Sequence, residues 1–300
     1  MSQTYPYASP PFRKRRPKLF FFLLIVALLV LLQIALAVWS VLDAKGVFSG
    51  PRLGLVKVEG FIGDAEKTVA WIEKLRKNAN VAGVLLRIDS PGGGVAPSQE
   101  VHMAVKRLAA AKPVIVSMGS VAASGGYYIA VAGNEIFASP STVTGSIGVR
   151  MQINNVEGLM ERIGVRSESL TTGRFKAAGS PFKTLTEEER AYLQAVIDDM
   201  QDEFINAVAK GRNIPKDTVK TLADGRILTG RQALDAKLVD RLGDREAALV
   251  HLAAICKMDG EPEILEGPEK SRPWWKLLLE AALDIQVERA AEGVQYTFCY

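Results

Sequence analysis

Histidine and cysteine are scarce in this sequence, with two of each among 300 residues. A metal site built from three histidines is therefore excluded, and His102 and His251 are too far apart to form an i, i+4 ligand pair. Each lies in an apolar helical run and is predicted to be structural. Cys256 and Cys299 allow one bridge or two free thiols, but no disulfide framework.

The main part of the chain also lacks a surplus of basic charge. Residues 1–50 contain six basic residues and one acidic residue, whereas residues 51–300 contain 31 basic and 32 acidic residues. The basic pI thus comes from the N-terminus, and a nucleic-acid partner is not expected. The glycines at 92–94 are not followed by Lys-Ser/Thr, so they do not form a phosphate-binding loop.

One long uncharged run is present, at residues 19–42. As a helix it would extend about 36 Å, enough to cross a bilayer core of about 30 Å. Five basic residues precede it, which predicts a cytoplasmic leader at 1–18, a single-pass signal-anchor in the cell (inner) membrane, and an extracytoplasmic or periplasmic main domain. A cleaved signal peptide is the alternative, although its apolar region is usually only about 7–15 residues long.

After the anchor, apolar strands alternate with amphipathic helices, which indicates an α/β fold with a mostly parallel sheet covered by helices. We predict a main domain at 52–258 and an amphipathic tail at 259–300, in which Trp274 and Trp275 belong to a docking helix or contact the membrane surface. A capping box at Thr186 and Glu189 predicts a long helix ending near Lys210. The other predicted strands are Leu53–Val58, Val81–Asp89, Pro113–Met118, Glu135–Ala138, Ile147–Ile153 and Ser167–Thr171, and the other helices are Ala65–Asn78, Ser98–Ala111 and Val156–Ile163.

Two segments that follow buried strands have the composition of a reaction site. The first is 89–94 (DSPGGG), interpreted as a turn whose glycines let backbone N–H groups approach a substrate, as in an oxyanion hole. The second is 120–128 (SVAASGGYY), where small neighbours leave the Ser124 hydroxyl open. An ordinary tight turn and a small-residue helix contact are the structural alternatives.

A nucleophilic serine needs a base, and the scarcity of histidine favours lysine, which loses its proton readily when desolvated. Lys176 and Lys183 both lie in a polar loop after the last predicted sheet strand. Composition does not choose between them.

A set of ordered motifs resembles the signal peptide peptidase A family. These are 90–94 (SPGGG), 122–128 (AASGGYY), 144–149 (TGSIGV), 173–176 (GRFK), 224–226 (DGR) and 230–233 (GRQA), within about residues 52–255. The resemblance implies a membrane-anchored serine endopeptidase with a Ser-Lys dyad. It also implies the repeated ββα-type spiral fold of Clp protease and crotonase.

The resemblance implies a role for each matched residue. Ser124 corresponds to the nucleophile, Lys176 to the general base, and Ser146 to the hydroxyl that orients the lysine amine. Gly93 corresponds to the oxyanion-hole amide, and the N–H of Gly125 is a second donor. Lys183 then becomes a surface residue. No metal or organic cofactor is implied, and activity is expected to rise with pH as the lysine loses its proton.

The single copy of the motifs resembles the half-length form of the family, which implies a homo-oligomeric ring whose dyads are shared between subunits. The implied substrates are hydrophobic, signal-peptide-like remnants at the membrane. A related peptidase acting on other membrane or exported proteins and a non-enzymatic membrane scaffold with a crotonase-like fold are the alternatives. A Clp-like histidine base is disfavoured, since residues 148–150 are Gly-Val-Arg where that histidine would stand. An acyl-CoA enzyme would have no need of Ser124.

Overall fold

The structure is a computed structural model that describes residues 17–44, 50–258 and 260–267. Helix α1 spans Pro17–Ala44, so the helix predicted from residues 19–42 is present. Its segment Lys18–Leu36 has a mean hydropathy of 3.1, long and apolar enough to cross a membrane by length and composition. The leader at 1–16 and the tail after 267, including Cys299, Trp274 and Trp275, lie outside the described residues.

The elements of the main domain alternate much as the sequence predicts. Its strands are β1 Arg52–Ile62, β2 Val81–Gly93, β3 Val114–Ala123, β4 Glu135–Ala138, β5 Val143–Gly145, β6 Ile227–Thr229, β7 Arg241–Leu242 and β8 Ile264–Gly267. Its helices are α2 Glu66–Lys77, α3 Val95–Ala109, α4 Gly125–Ala130, α5 Glu157–Arg162, α6 Glu187–Arg212, α7 Lys216–Leu222, α8 Gly230–Asp235 and α9 Arg245–Ile255.

These strands form one sheet in the part of the chain that the structure describes. Its order is β6-β5-β3-β2-β1-β8, with β4 beside β3 and β7 beside β4. The pairings are parallel except β5 with β6, which is antiparallel. The predicted mostly parallel sheet is therefore confirmed.

The two faces of the sheet are covered by different helices. Along β2, Val84 and Leu86 face the larger core with α2, α3 and α4, whereas Leu85 faces a smaller core with α9. Because side chains alternate between faces of a strand, a strand buried on both faces is a continuous apolar run. That pattern identified β2 and β3 in the sequence.

Three predictions about strands are wrong. Residues 147–153 and 167–171 are not strands. For residues 147–153, which directly follow β5, the sheet edge beside β5 is already paired with β6. The glycines at 92–93 are not a turn: β2 continues through them, with Gly92 and Gly93 paired with Phe61 and Ile62. Helix α3 consequently begins at Val95 instead of Ser98.

The sheet also extends beyond residue 258, where we predicted the domain to end. β8 pairs in parallel with β1, and Leu53 lies opposite Ile264. The predicted tail thus contributes an edge strand before the described chain ends. Cys256 is half-buried just after α9, and burial raises the pKa of its thiol.

Candidate active site

Ser124 lies at the junction between β3 and α4, in a backbone conformation that is rare for a residue with a side chain. Its φ is 52° and its ψ is −120°. The Ser124 N–H donates to the Gly145 carbonyl at 2.9 Å, and its own carbonyl accepts from the Tyr128 N–H at 2.9 Å. A serine held on a sharp strand-to-helix turn presents its hydroxyl away from the sheet, and such strained positions cluster at functional sites.

The glycines at the end of β2 pack directly against this junction. A Cβ atom on Gly92, whose φ is 107°, would lie 2.9 Å from the Ser124 Cβ and 2.8 Å from the Gly125 nitrogen. A Cβ on Gly93 would lie 2.3 Å from the Ile62 carbonyl oxygen, and one on Gly125 would lie 3.3 Å from the Gly93 nitrogen. The two predicted oxyanion-hole glycines are therefore brought together beside Ser124, and neither leaves room for a side chain.

An irregularity in β3 sets this arrangement. The β2–β3 register shifts between Ile88 and Ser90, so that Ser90 lies opposite Ala122. Asp89 accepts a hydrogen bond from the Val121 N–H at 3.0 Å, which fixes the extra residues of β3. The buried Ser90 hydroxyl donates to the Gly60 carbonyl at 2.6 Å and accepts from the Gly92 N–H at 3.1 Å. Short polar side chains thus hold the two strand ends in position.

A cavity of about 40 Å³ opens next to Ser124. Its lining combines the end of β2, the start of α3, the β3–α4 junction, the segment after β5 and the middle of α6. The lining residues are Gly93, Val95, Ser98, Gln99, Ser124, Gly125, Tyr128, Gly148, Val149, Met200 and Phe204. We did not predict the contribution of Met200 and Phe204, because nothing local in the sequence of α6 points to a site.

Ser146 lies just beyond β5, next to the nucleophile junction. Its φ is 49°, and its N–H donates to the Arg226 carbonyl at 2.8 Å. Because Gly145 pairs with Ala123, Ser146 stands at the same end of the sheet as Ser124. Arg226 is ion-paired with Asp224 within the turn before β6, and hydrogen bonds from Arg226 lower the pKa of Asp224 to about 2.

Lys176 is exposed on a loop between α5 and α6 and is not among the residues that line the cavity. The loop is held against α6. Phe175 stacks on Tyr192 with ring centroids 4.6 Å apart, and Arg174 pairs with Glu188 at 2.7 Å. Within one chain, the described lining of the cavity therefore includes Ser124, Gly93 and Gly125 but not Lys176.

The alternative lysine is engaged elsewhere. Lys183 forms an ion pair with Glu189 at the start of α6, and this hydrogen bond lowers the pKa of Glu189. Glu189 also completes the predicted capping box with Thr186, which is confirmed. Lys183 thus pairs with a residue in the first turn of α6.

The histidines both take structural positions. His102 Nδ1 lies 2.7 Å from the Tyr128 carbonyl, and burial lowers the pKa of the imidazole. His251 Nε2 lies 3.1 Å from Glu135 Oε1 on the opposite face of the sheet. Neither lines the cavity at Ser124. Among the described residues, no three His, Cys, Asp or Glu side chains are grouped to hold a metal ion.

Comparison with known proteins finds a peptidase family and relatives that are named as proteases. Residues 106–258 match the model of peptidase family S49, a span that contains Ser124, Ser146 and Lys176. A Synechocystis sp. protein named as a putative protease is 38% identical over 247 residues, covering 82% of this chain and 88% of that protein. A protein of Enterococcus faecium named as a putative signal peptide peptidase SppA is 42% identical, covering 59% of this chain and 52% of its own length. Protease 4 of Salmonella typhi is 37% identical, covering 70% of this chain and 35% of that protein.

Proposed function

Because the chain belongs to peptidase family S49, whose fold is that of Clp protease and crotonase, we propose that it is a membrane-anchored serine endopeptidase. Ser124 is the nucleophile, Lys176 the general base, and Ser146 the hydroxyl that orients the lysine amine. The observation that carries the proposal is the strained Ser124 junction, packed against the glycines of β2 and open to a cavity.

The proposed reaction assigns each of these residues a step. An uncharged lysine amine takes the Ser124 proton as Oγ bonds to the substrate carbonyl carbon. The carbonyl oxygen becomes an oxyanion held by the Gly93 and Gly125 N–H groups, each contributing about 3 kcal/mol to transition-state stabilisation. When the C–N bond breaks, the lysine ammonium gives its proton to the leaving amine. Water then attacks the acyl-enzyme, its proton passes to the lysine, and the Ser124 hydroxyl is restored.

The base comes from a neighbouring copy of the chain. Lys176 is exposed and outside the cavity, yet its loop is fixed on α6 by the Phe175–Tyr192 stack. A fixed, outward-facing lysine suits a site that is completed by assembly. We infer a head-to-tail homo-oligomeric ring in which each Ser124 faces the Lys176 of the next subunit.

Helix α1 supports the membrane part of the proposal. It anchors the protein in the cell membrane, with the basic leader in the cytoplasm and the catalytic domain on the other side. The substrates are hydrophobic peptides of the signal-peptide kind, cleaved close to the bilayer. The name of the Enterococcus faecium relative supports this substrate class.

The test uses the full chain purified in detergent and a fluorogenic peptide rich in Ala and Leu. Ser124→Ala and Lys176→Ala should each abolish cleavage. Co-expression of the two variants should restore about a quarter of wild-type activity, because in a head-to-tail ring a quarter of the interfaces join an intact serine to an intact lysine. Lys183→Ala, which removes a lysine from the same loop, should retain activity.

Other outcomes would change the assignment. Full activity in Lys176→Ala would overturn the base. Loss without rescue, in oligomers shown to contain both variants, would place the dyad within one chain. Absence of activity in correctly assembled wild-type protein would favour the scaffold. Cleavage of folded exported proteins but not of the peptide would favour the alternative substrate class.

A further inference from the structure

We propose that the segment 274–285 of this chain docks into a groove beside α9, on the face of the sheet that α9 covers. The inference does not depend on the proposed peptidase, because no residue that lines the groove also lines the cavity at Ser124. Its basis is the apolar lining of the groove, the position where β8 ends, and the sequence that follows β8.

The groove, called the α9 groove below, lies between α9 and the residues that lead into β8. Its volume is about 560 Å³, and most of its lining side chains are apolar, among them Leu249 and Ala253 of α9 and Met258 and Ile264 beyond it. Met258 and Ile264 pack against the smaller core but are only half-buried. The smaller core is thus incompletely covered along the groove, as expected where a further apolar group binds.

The spacing of the sheet leaves room for a second helix next to α9. Helix α9 packs against β2 and β3, whereas the groove reaches Ile264 on β8, which is separated from β2 by β1. Neighbouring strands lie about 4.8 Å apart, so β8 is about 10 Å from β2. Packed helices have axes about 8–10 Å apart, so a helix over β8 would lie in contact with α9.

Strand β8 ends at the rim of the α9 groove. Arg245, which lines the groove, has its Nη2 3.9 Å from Oε1 of Glu266, the residue before the end of β8. Trp274 follows Gly267 by seven residues, which extend up to about 23 Å, whereas the 11 residues of α9 extend about 16 Å. The segment that begins at Trp274 is therefore within reach of the whole groove.

The sequence of the segment 274–285 suits an apolar groove. Its charged residues, Lys276, Glu280 and Asp284, recur every four positions and would therefore lie on one side of a helix. Every other residue of the segment is Trp, Leu, Ala or Ile. This pattern is typical of a helix that packs with one apolar face against a protein surface.

Tethering and charge favour this segment over other occupants. A short tether holds the segment at a millimolar effective concentration, whereas a second copy of the chain must be recruited from solution. The rim of the groove carries Arg245, Glu246 and Glu261, all exposed. An apolar floor with a polar rim is typical of protein contacts, and a rim with more acidic than basic residues does not attract an anionic lipid surface.

Hydrogen–deuterium exchange of the full chain in detergent tests the contact from both sides. In the wild type, the amides of the segments 274–285 and 260–264 should exchange slowly. Leu278→Glu, which places a charge on the apolar side of the segment, should accelerate exchange in both segments by about tenfold or more. Ala254→Glu, which places a charge on an exposed residue that lines the groove, should have the same effect in both segments.

Each variant has a matched control that introduces the same residue elsewhere. Lys276→Glu changes the charged side of the segment, and Ala247→Glu changes an exposed residue of α9 that does not line the groove. Both should stay within about twofold of the wild type. Slow exchange of 274–285 that persists in Ala254→Glu would overturn the proposal and assign the segment to the detergent or lipid surface. Fast exchange of 274–285 in the wild type would overturn it as well.

Co-expression of the two variants separates a contact within one chain from a contact between copies. In oligomers that contain both Ala254→Glu and Leu278→Glu subunits, each chain has one defect, so exchange should remain fast in every subunit. Peptides from the two variants differ in mass and are measured separately. Slow exchange of 274–285 in the Ala254→Glu subunits would show that the segment fills the groove of another copy, and would overturn its assignment to its own chain.

Discussion

Ser124 holds its Cβ in a region of backbone conformation where a side chain costs about 1–3 kcal/mol. Glycine has no such cost, so Ser124→Gly should be more stable than Ser124→Ala by about 1 kcal/mol, although both lack the hydroxyl. The measurement is chemical unfolding of the full chain in detergent. Ser141, an exposed turn residue without a positive φ, provides the control. There the order should reverse, with Ala more stable than Gly by about 0.4–1 kcal/mol. If Ser124→Gly is instead less stable than Ser124→Ala, the backbone at this junction is not strained.

At the residue scale, the sequence predicts which residues stand at the strand ends better than it predicts the residues that line the cavity. Gly93 is the last residue of β2 and Ser124 directly follows β3, and the carboxyl ends of neighbouring parallel strands meet at one edge, so their proximity could be expected. Met200 and Phe204 come from a helix far along the chain. Their position depends on how α6 packs against α4, which no local pattern encodes.

At the scale of elements, the turn before β6 contacts the site through the Arg226 carbonyl, which accepts from the Ser146 N–H, and Asp224 pairs with Arg226 within that turn. In the folded protein the Arg226 hydrogen bonds hold the pKa of Asp224 at about 2, below the usual value of about 4. The lowered pKa means that this carboxylate stabilises the fold above about pH 4 and that the contribution is lost as pH falls towards 2. Asp224→Asn should therefore reduce the drop in Tm between pH 6 and pH 2.5.

The measurement is thermal unfolding of the full chain in detergent at both values of pH. Asp199→Asn, which removes an exposed carboxyl from α6, is the control for net charge. An equal reduction in both variants would show that the effect does not come from the Asp224–Arg226 pair.

An element could be predicted where the contacts that form it are local in sequence, and not where they depend on distant parts of the chain. The start of α6 could be predicted because Thr186 and Glu189 satisfy the first helical N–H groups locally. Residues 147–153 have the apolar, β-branched composition of a strand, but a strand also needs a free edge. The chain gives that edge to β6, and the local composition does not contain this information.

At the scale of the whole molecule, residues 150–183 form a peripheral segment with little contact to the core. Helix α5 has no buried residue, and the exposed fraction is 63% for Ile163 and 93% for Leu170. The same segment carries Lys176. One chain thus exposes apolar side chains in the same segment as Lys176, which does not line the cavity at Ser124. Such exposure is expected if this segment packs against a second copy of the chain.

Leu170→Glu tests this assembly directly. The side chain makes almost no contact within one chain, so the fold should be retained, whereas a charge buried between copies would be costly. We expect native mass spectrometry in detergent to show a shift from oligomer to monomer. Peptidase activity should fall by about tenfold or more, because burying one leucine contributes about 1.5–3 kcal/mol to an interface.

Val250→Glu is the matched control, since Val250 is 60% exposed on α9, on the opposite face of the sheet. It should leave both mass and activity unchanged. A Leu170→Glu protein that remains oligomeric and active would remove this segment from the interface. Loss of activity with the oligomer intact would instead assign Leu170 to substrate binding. If Leu170→Glu loses both assembly and activity and Val250→Glu loses neither, then Ser124 is active only in the oligomer. This is the result expected if a neighbouring copy supplies Lys176.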